Sequence, residues 1–135
     1  MKVSKIGFTG TQRGMTEIQA ETISNYFGDG VEFHHGDCTG ADEQAHRLAK
    51  AAGCLIIIHP PINPNKRAFC IADNILPQKD YLDRNHDIVD ATELLLATPG
   101  EQEEQLRSGT WATIRYARKW KKPTIIIYPN GGTEL

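Results

Sequence analysis

Apolar residues recur along this chain in two rhythms. Compact runs of four or five residues, rich in Ile, Leu, Val and Phe, alternate with longer segments whose apolar positions fall three or four apart. The first rhythm predicts β-strands and the second amphipathic helices. Lys5-Ile6-Gly7-Phe8 reads as a first strand, running into the loop Thr9-Gly10-Thr11-Gln12-Arg13-Gly14. Thr16-Glu17-Ile18-Gln19 matches a capping box, in which Thr16 caps a helix and Gln19 reaches back. Met15, Ile18, Ile23 and Phe27 give that helix an apolar side, and Gly28 or Gly30 is expected to end it.

The second strand is expected over Val31 to His35 and the second helix from about Ala41 to Ala52. Ala45, Leu48, Ala49 and Ala52 form a mostly small face suited to close packing on a sheet, and Gly53 is a natural stop. Cys54 to Ile58 is apolar on both sides, as a parallel strand covered on both faces should be. A proline-rich stretch starts at His59 and continues through Pro77, too long for a plain turn. Within it, Lys66 and Arg67 could meet an anion, although solvated surface charge is the default. A helix over Asp80 to Asp90 follows, then a strand over Glu93 to Ala97, a polar loop over Pro99 to Arg107, and a helix opened by Ser108-Gly109-Thr110 that runs to about Trp120. Pro123 ends it, and Thr124 to Tyr128 is the fifth strand. Strands alternating with helices predict an α/β fold with helices on both sides of a five-stranded, mostly parallel sheet, all within a single domain, 1–135.

Composition changes this picture little. With 39% hydrophobic and 24% charged residues the chain is an ordinary folded domain. A net charge of −2 argues against a general affinity for nucleic acid. The three cysteines, Cys38, Cys54 and Cys70, cannot all pair within one chain, which fits a reducing, cytoplasmic setting. No leader precedes Ile6, and no apolar run approaches the roughly 20 residues of a membrane span, so no membrane partner is expected. The basic run from Arg115 to Lys122 reads as cations offsetting a helix C-terminus rather than as a nucleic-acid contact.

Candidate chemistry gathers in the loops. Gly36-Asp37-Cys38-Thr39-Gly40-Ala41-Asp42 joins a strand to a helix with two glycines and small polar residues. It is either a backbone cradle for an anion at a helix N-terminus or a tight turn that needs glycine for its dihedrals. In parallel sheets ligands bind beyond the carboxyl ends of the strands, where the strand order switches. That edge should carry Gly10, Thr11, Gln12 and Arg13, then residues 36–42, the proline loop, and Ser108, Gly109, Thr110 and Trp111. A phosphate-bearing ligand is the expected guest. His35 is a candidate lining residue. His34, His35, Asp37 and Cys38 are not spaced as a metal site, because neighbouring strand residues face opposite ways. No metal and no cofactor are expected.

Four of these segments carry a resemblance. Gly7-Phe8-Thr9-Gly10-Thr11-Gln12-Arg13, residues 36–42, Tyr81-Leu82-Asp83-Arg84-Asn85, and Pro99-Gly100 followed by Ser108-Gly109-Thr110-Trp111 resemble the SLOG superfamily, which includes the "Lonely guy" phosphoribohydrolases. The chain looks like a small stand-alone bacterial or phage member. The resemblance implies a Rossmann-like three-layer α/β/α sandwich and nucleotide binding. It also implies a homo-oligomer formed through helices flanking the pocket. The Lonely guy enzymes carry a Pro-Gly-Gly-x-Gly-Thr-x-x-Glu motif and an upstream arginine, and they cleave nucleoside monophosphates at the N-glycosidic bond. By that resemblance Arg84 holds the arginine's place and Gly109-Thr110 match the Gly-Thr, while the glutamate's place falls on Thr113 and residues 101–107 are an insertion.

A threonine cannot stabilise a cation-like transition state or activate water as a carboxylate does. The resemblance therefore supports a binding protein, a sensor or sequestering protein for a nucleotide-derived small molecule, over its alternative, a phosphoribohydrolase. A third reading is an interaction module with a vestigial pocket. Residue by residue, Arg84 pairs with phosphate or with Asp83, Asp87 or Asp90, and the first is favoured. Arg13 is a phosphate ligand or exposed charge. Asp42 bonds a ribose hydroxyl or steadies its helix, with the structural role favoured. Asp37 and Asp42 are the carboxylates left near the site.

Overall fold

A computed structural model describes residues 3–135. Its strands are β1 (Lys5–Gly10), β2 (Glu32–His35), β3 (Leu55–Ile58), β4 (Asn74–Ile75), β5 (Leu94–Thr98), β6 (Thr124–Ile127) and β7 (Thr133–Glu134). Its helices are α1 (Glu17–Ser24), α2 (Ala41–Ala51), α3 (Tyr81–Asp90) and α4 (Gly109–Lys119). The strands form one seven-stranded sheet in the order β4-β3-β2-β1-β5-β6-β7. All neighbours are parallel except β6 and β7.

The expected five strands are therefore present, and two more extend the sheet at its rims. Both additions are two residues long and exposed. Neither has an apolar repeat, so hydrophobic patterning could not reveal them. β4 forms because the long segment after β3 turns back alongside it, pairing Ile57 with Asn74 and Ile58 with Ile75. β7 returns antiparallel through a turn at residues 129–132, where the Tyr128 amide donates to the Gly132 carbonyl.

The capping box forms as the sequence implies: the Gln19 amide donates to Thr16 Oγ1 at 3.3 Å, and the Thr16 amide donates to Gln19 Oε1 at 3.0 Å. α1 stops at Ser24, before the glycines, because residues 25–27 tighten to three-residue hydrogen bonds from Asn25, Tyr26 and Phe27 back to Thr22, Ile23 and Ser24. The main core joins Ile6, Phe8, Phe33, Ile56 and Ile58 of the sheet to Ile23 of α1 and Ala41, Ala45 and Ala49 of α2. The small face of α2 lets it lie close over Phe8 and Phe33, whose rings stand 5.7 Å apart. On the opposite face, Trp111, Ile114 and Ala117 of α4 and Val89 of α3 cover Leu95, Ala97 and Ile126.

The order of strands places a switch between β1 and β5. The chain leaves β1 toward β2, β3 and β4, then crosses by α3 to β5 on the other side. Loops after β1 and β5 consequently part from each other at the carboxyl edge and open a crevice.

Gly40 fixes the start of α2 at that edge. Its backbone has φ +89° and ψ −127°, a region that side chains avoid. A methyl group there would stand 2.2 Å from the Gln12 carbonyl oxygen. Gly40→Ala should therefore cost about 2–4 kcal/mol. Thermal or urea unfolding measures this, and an unchanged midpoint would show that the loop after β1 can move away freely.

Candidate functional site

The crevice is a cleft of about 360 Å³. The loop after β1 supplies Gly10, Thr11, Gln12 and Arg13 to it, and the turn after β2 supplies Gly36, Cys38 and Asp42. Tyr81, Arg84 and Asn85 of α3 line one wall, and Gly100, Glu101, Arg107, Ser108, Gly109 and Thr110 line the approach to α4. Three guanidinium groups and two carboxylates thus share one small space.

The N-terminus of α4 borders this cleft. Ser108 caps it by accepting the Trp111 amide at 3.2 Å. The Gly109 and Thr110 amides, at the first two helical positions, meet no acceptor among the described residues. Two free N–H groups with the helix dipole behind them suit an anion. Arg107 lines the cleft beside them and forms no ion pair among the described residues.

Residues 36–42 behave differently from a cradle. The Cys38 amide donates to Asp42 Oδ2 at 3.1 Å, the Thr39 amide to the Lys66 carbonyl at 2.9 Å, and the Ala41 amide to the Thr11 carbonyl at 3.0 Å. Asp37, at φ +59° and wholly buried, accepts from Arg67 Nε at 2.9 Å and from the Cys70 amide at 3.0 Å. The anion that Arg67 meets is therefore the protein's own carboxylate. This pair staples the long segment after β3 to the turn after β2. His35, also buried, accepts the Asp37 amide on Nδ1, so its Nε2–H donates to His46 Nδ1 at 2.9 Å. Burial holds the His35 pKa well below its ordinary range, which keeps the ring neutral. His34 faces the other side of the strand and bonds His59 at 2.8 Å and Glu32 at 2.9 Å.

Of the residues that the sequence pointed to, Gly10, Thr11, Gln12, Arg13, Gly36, Asp42, Arg84, Ser108, Gly109 and Thr110 come together around the cleft. His35, Asp37, Thr39, Gly40, Ala41 and Trp111 are not part of its lining: His35, Asp37, Thr39 and Ala41 make the contacts above, Gly40 holds the start of α2, and Trp111 is buried with its indole N–H donating to Glu101 Oε1 at 3.1 Å. Tyr81, Asn85, Glu101 and Arg107 join the lining without having been singled out. The first two belong to the same helical segment as Arg84. Glu101 and Arg107 lie in the insertion, where no periodicity marks them. Among the described residues, no group of three or more His, Cys, Asp or Glu side chains is placed to hold a metal ion.

Arg84 is the centre of the floor. It is only 2% exposed, and its Nη1 donates to the carbonyls of Gly36 and, at 3.2 Å, His59. Its Nη2 reaches Cys38 Sγ at 3.6 Å, and its Cζ lies 4.4 Å from the Tyr81 ring centroid. Nε has no hydrogen-bond partner among the described residues. Gly36 makes the arrangement possible, since a Cβ there would lie 2.2 Å from Arg84 Nη1. The Tyr81 hydroxyl receives a hydrogen bond from Gln12 Nε2 at 2.7 Å and stands 3.2 Å from Cys38 Sγ. Burial pushes the Cys38 thiol up and the Tyr81 phenol to about 12, so both stay protonated at neutral pH.

Burial also raises Asp42 from 3.8 to about 6, opposed by the Arg84 cation and by the Cys38 and Gly36 amides. A carboxyl whose folded pKa exceeds its unfolded one favours folding most when protonated. Its contribution is full below pH 3.8 and is lost as pH rises through about 6.

No protein-family model matches the chain, and no curated protein matches it. Solved structures share its fold, two of them as follows. The molybdenum cofactor binding protein from the phototrophic bacterium Rippkaea orientalis superposes with a TM-score of 0.70 at 22% identity, covering 95% of this chain and 78% of that one. TM1055, a structural-genomics target, gives 0.67 at 16% identity, covering 96% and 76%. These likenesses establish a Rossmann-like α/β fold.

Replacing Arg84 by Met, which keeps the bulk and removes the cation, should move the Asp42 titration above pH 6. Carboxyl-carbon NMR measures the midpoint. A midpoint that stays put or falls would show that the guanidinium does not govern this carboxyl.

Proposed function

We propose that the chain binds a phosphorylated nucleotide or nucleotide-derived small molecule in the cleft and serves as a sensor or sequestering protein of SLOG type. The observation that carries this reading is the start of α4, whose Gly109 and Thr110 amides lack acceptors among the described residues and border a cleft walled by Arg13, Arg84 and Arg107. The phosphate sits at those amides with Arg107 beside it, and the organic part extends toward Tyr81 and Asp42. Arg84 supplies fixed positive charge from the floor. The location at the strand-order switch supports the same reading.

Thr113 supports binding over cleavage. It is buried, and its hydroxyl donates to the Gly109 carbonyl at 2.9 Å within α4, away from the cleft lining. The helix position that bears glutamate in the Lonely guy enzymes therefore offers no group to a substrate here. Its hydroxyl is spent on the helix itself.

Calorimetry tests the proposal with mono-, di- and cyclic nucleotides and with the molybdenum cofactor, which the name of one structural neighbour assigns to that protein. Saturable heat from at least one phosphate-bearing ligand is expected, and silence across the panel from folded protein overturns the reading. Arg107→Gln should weaken the bound ligand about tenfold, the value of one charge-assisted hydrogen bond, with an unchanged melting temperature. Equal affinity would place the phosphate elsewhere. Incubation with AMP followed by chromatography should yield no free adenine, and its appearance would establish an N-glycosidase instead.

A further inference from the structure

Glu101 lies in the cleft yet has the wrong sign for a phosphate site. Its place is fixed from two directions. The indole N–H of Trp111, a side chain 2% exposed, donates to Oε1, and the Arg13 guanidinium binds Oε2. Arg13 comes from the loop after β1 and Trp111 from α4, so both walls of the crevice aim the same carboxylate. The Glu101 side chain remains 30% exposed. A carboxylate has about four acceptor sites, and two are used here, one on each oxygen. Among the described residues, one acceptor site per oxygen is left.

The other cleft carboxyl, Asp42, is differently placed. It is 6% exposed and already accepts the Cys38 amide. Glu101 is thus the acceptor available to a ligand. A held carboxylate with one free site on each oxygen matches two hydroxyl donors on adjacent carbons. This is the chemistry by which acidic side chains read ribose. Resting on the nucleotide-binding proposal above, we infer that Glu101 is a specificity-determining residue that accepts hydrogen bonds from the vicinal hydroxyls of a phosphorylated sugar. The α4 N-terminus takes the phosphate, and Glu101 selects ligands with the diol intact.

The test titrates ADP and 2′,3′-dideoxy-ADP into wild-type protein, Glu101→Gln and Glu101→Ala. Glutamine retains an oxygen acceptor for the Trp111 indole, and thermal melting checks that each variant folds. Wild type should bind ADP about tenfold or more tightly than the dideoxy analogue, because an acceptor built for hydroxyls is left unpaired by a ligand lacking them. Glu101→Ala should bring the two affinities within about threefold, with dideoxy-ADP bound as well as before or better, since a negative charge near the phosphate is gone. Glu101→Gln should fall between them. If wild type binds both nucleotides equally, or if the preference survives in Glu101→Ala, the role assigned to Glu101 is wrong while the cleft remains a nucleotide site. If neither nucleotide binds, the inference falls, and the wider panel of ligands decides whether the binding proposal falls with it.

Discussion

A single buried guanidinium organises the carboxyl edge of this sheet. Arg84 reaches from α3 beneath the turn after β2 and donates to the Gly36 and His59 carbonyls, so it ties a helix to the ends of two neighbouring strands. Carbonyl oxygens and a thiol satisfy hydrogen bonds but supply no full negative charge. Asp42 supplies that charge at neutral pH, where a carboxyl raised to about 6 is still mostly ionised although its burial resists ionisation. Tyr81, stacked against the guanidinium, keeps it from swinging away.

A second guanidinium, in an ion pair, works beneath the surface toward a different end. Asp37 and Arg67 are both largely buried and pinned by further contacts: the Cys70 amide bonds the aspartate, and the Phe69 ring lies 4.6 Å from the guanidinium. Removing one partner from such a pair leaves a charge stranded in low dielectric. The pair converts a long segment with little regular structure into part of the framework behind the cleft. The turn after β2 is consequently spoken for from both sides, by Lys66 and Thr11 at its amides and by Arg67 at its carboxylate.

The outcome shows which physical information a linear pattern carries. Ile56 and Ile58, or Leu95 and Leu96, announce their strands because burial needs apolar side chains wherever the strand lies. Thr16 and Gln19 announce a helix start because both partners are three residues apart. The fate of the Cys38, Thr39 and Ala41 amides depends on Asp42, Lys66 and Thr11, and only Asp42 is near in sequence. A glycine-bearing turn whose amides are free reads the same as one whose amides are taken. Arg84 was legible through its motif, whereas Glu101 gains its place from Arg13 and Trp111, separated from it by 88 and 10 positions.

Both rims of the sheet finish in strands only two residues long, one parallel and one turned back antiparallel. Long exposed borders invite foreign strands to add on, the route by which β-rich chains clump. Here the template is cut to a few backbone groups at each side, with Glu134 bound to Arg118 and Tyr128 at one of them. Strand-by-strand polymerisation gains little from such stubs. The aliphatic inner strands, which would be hazardous if bare, are shielded by their own neighbours.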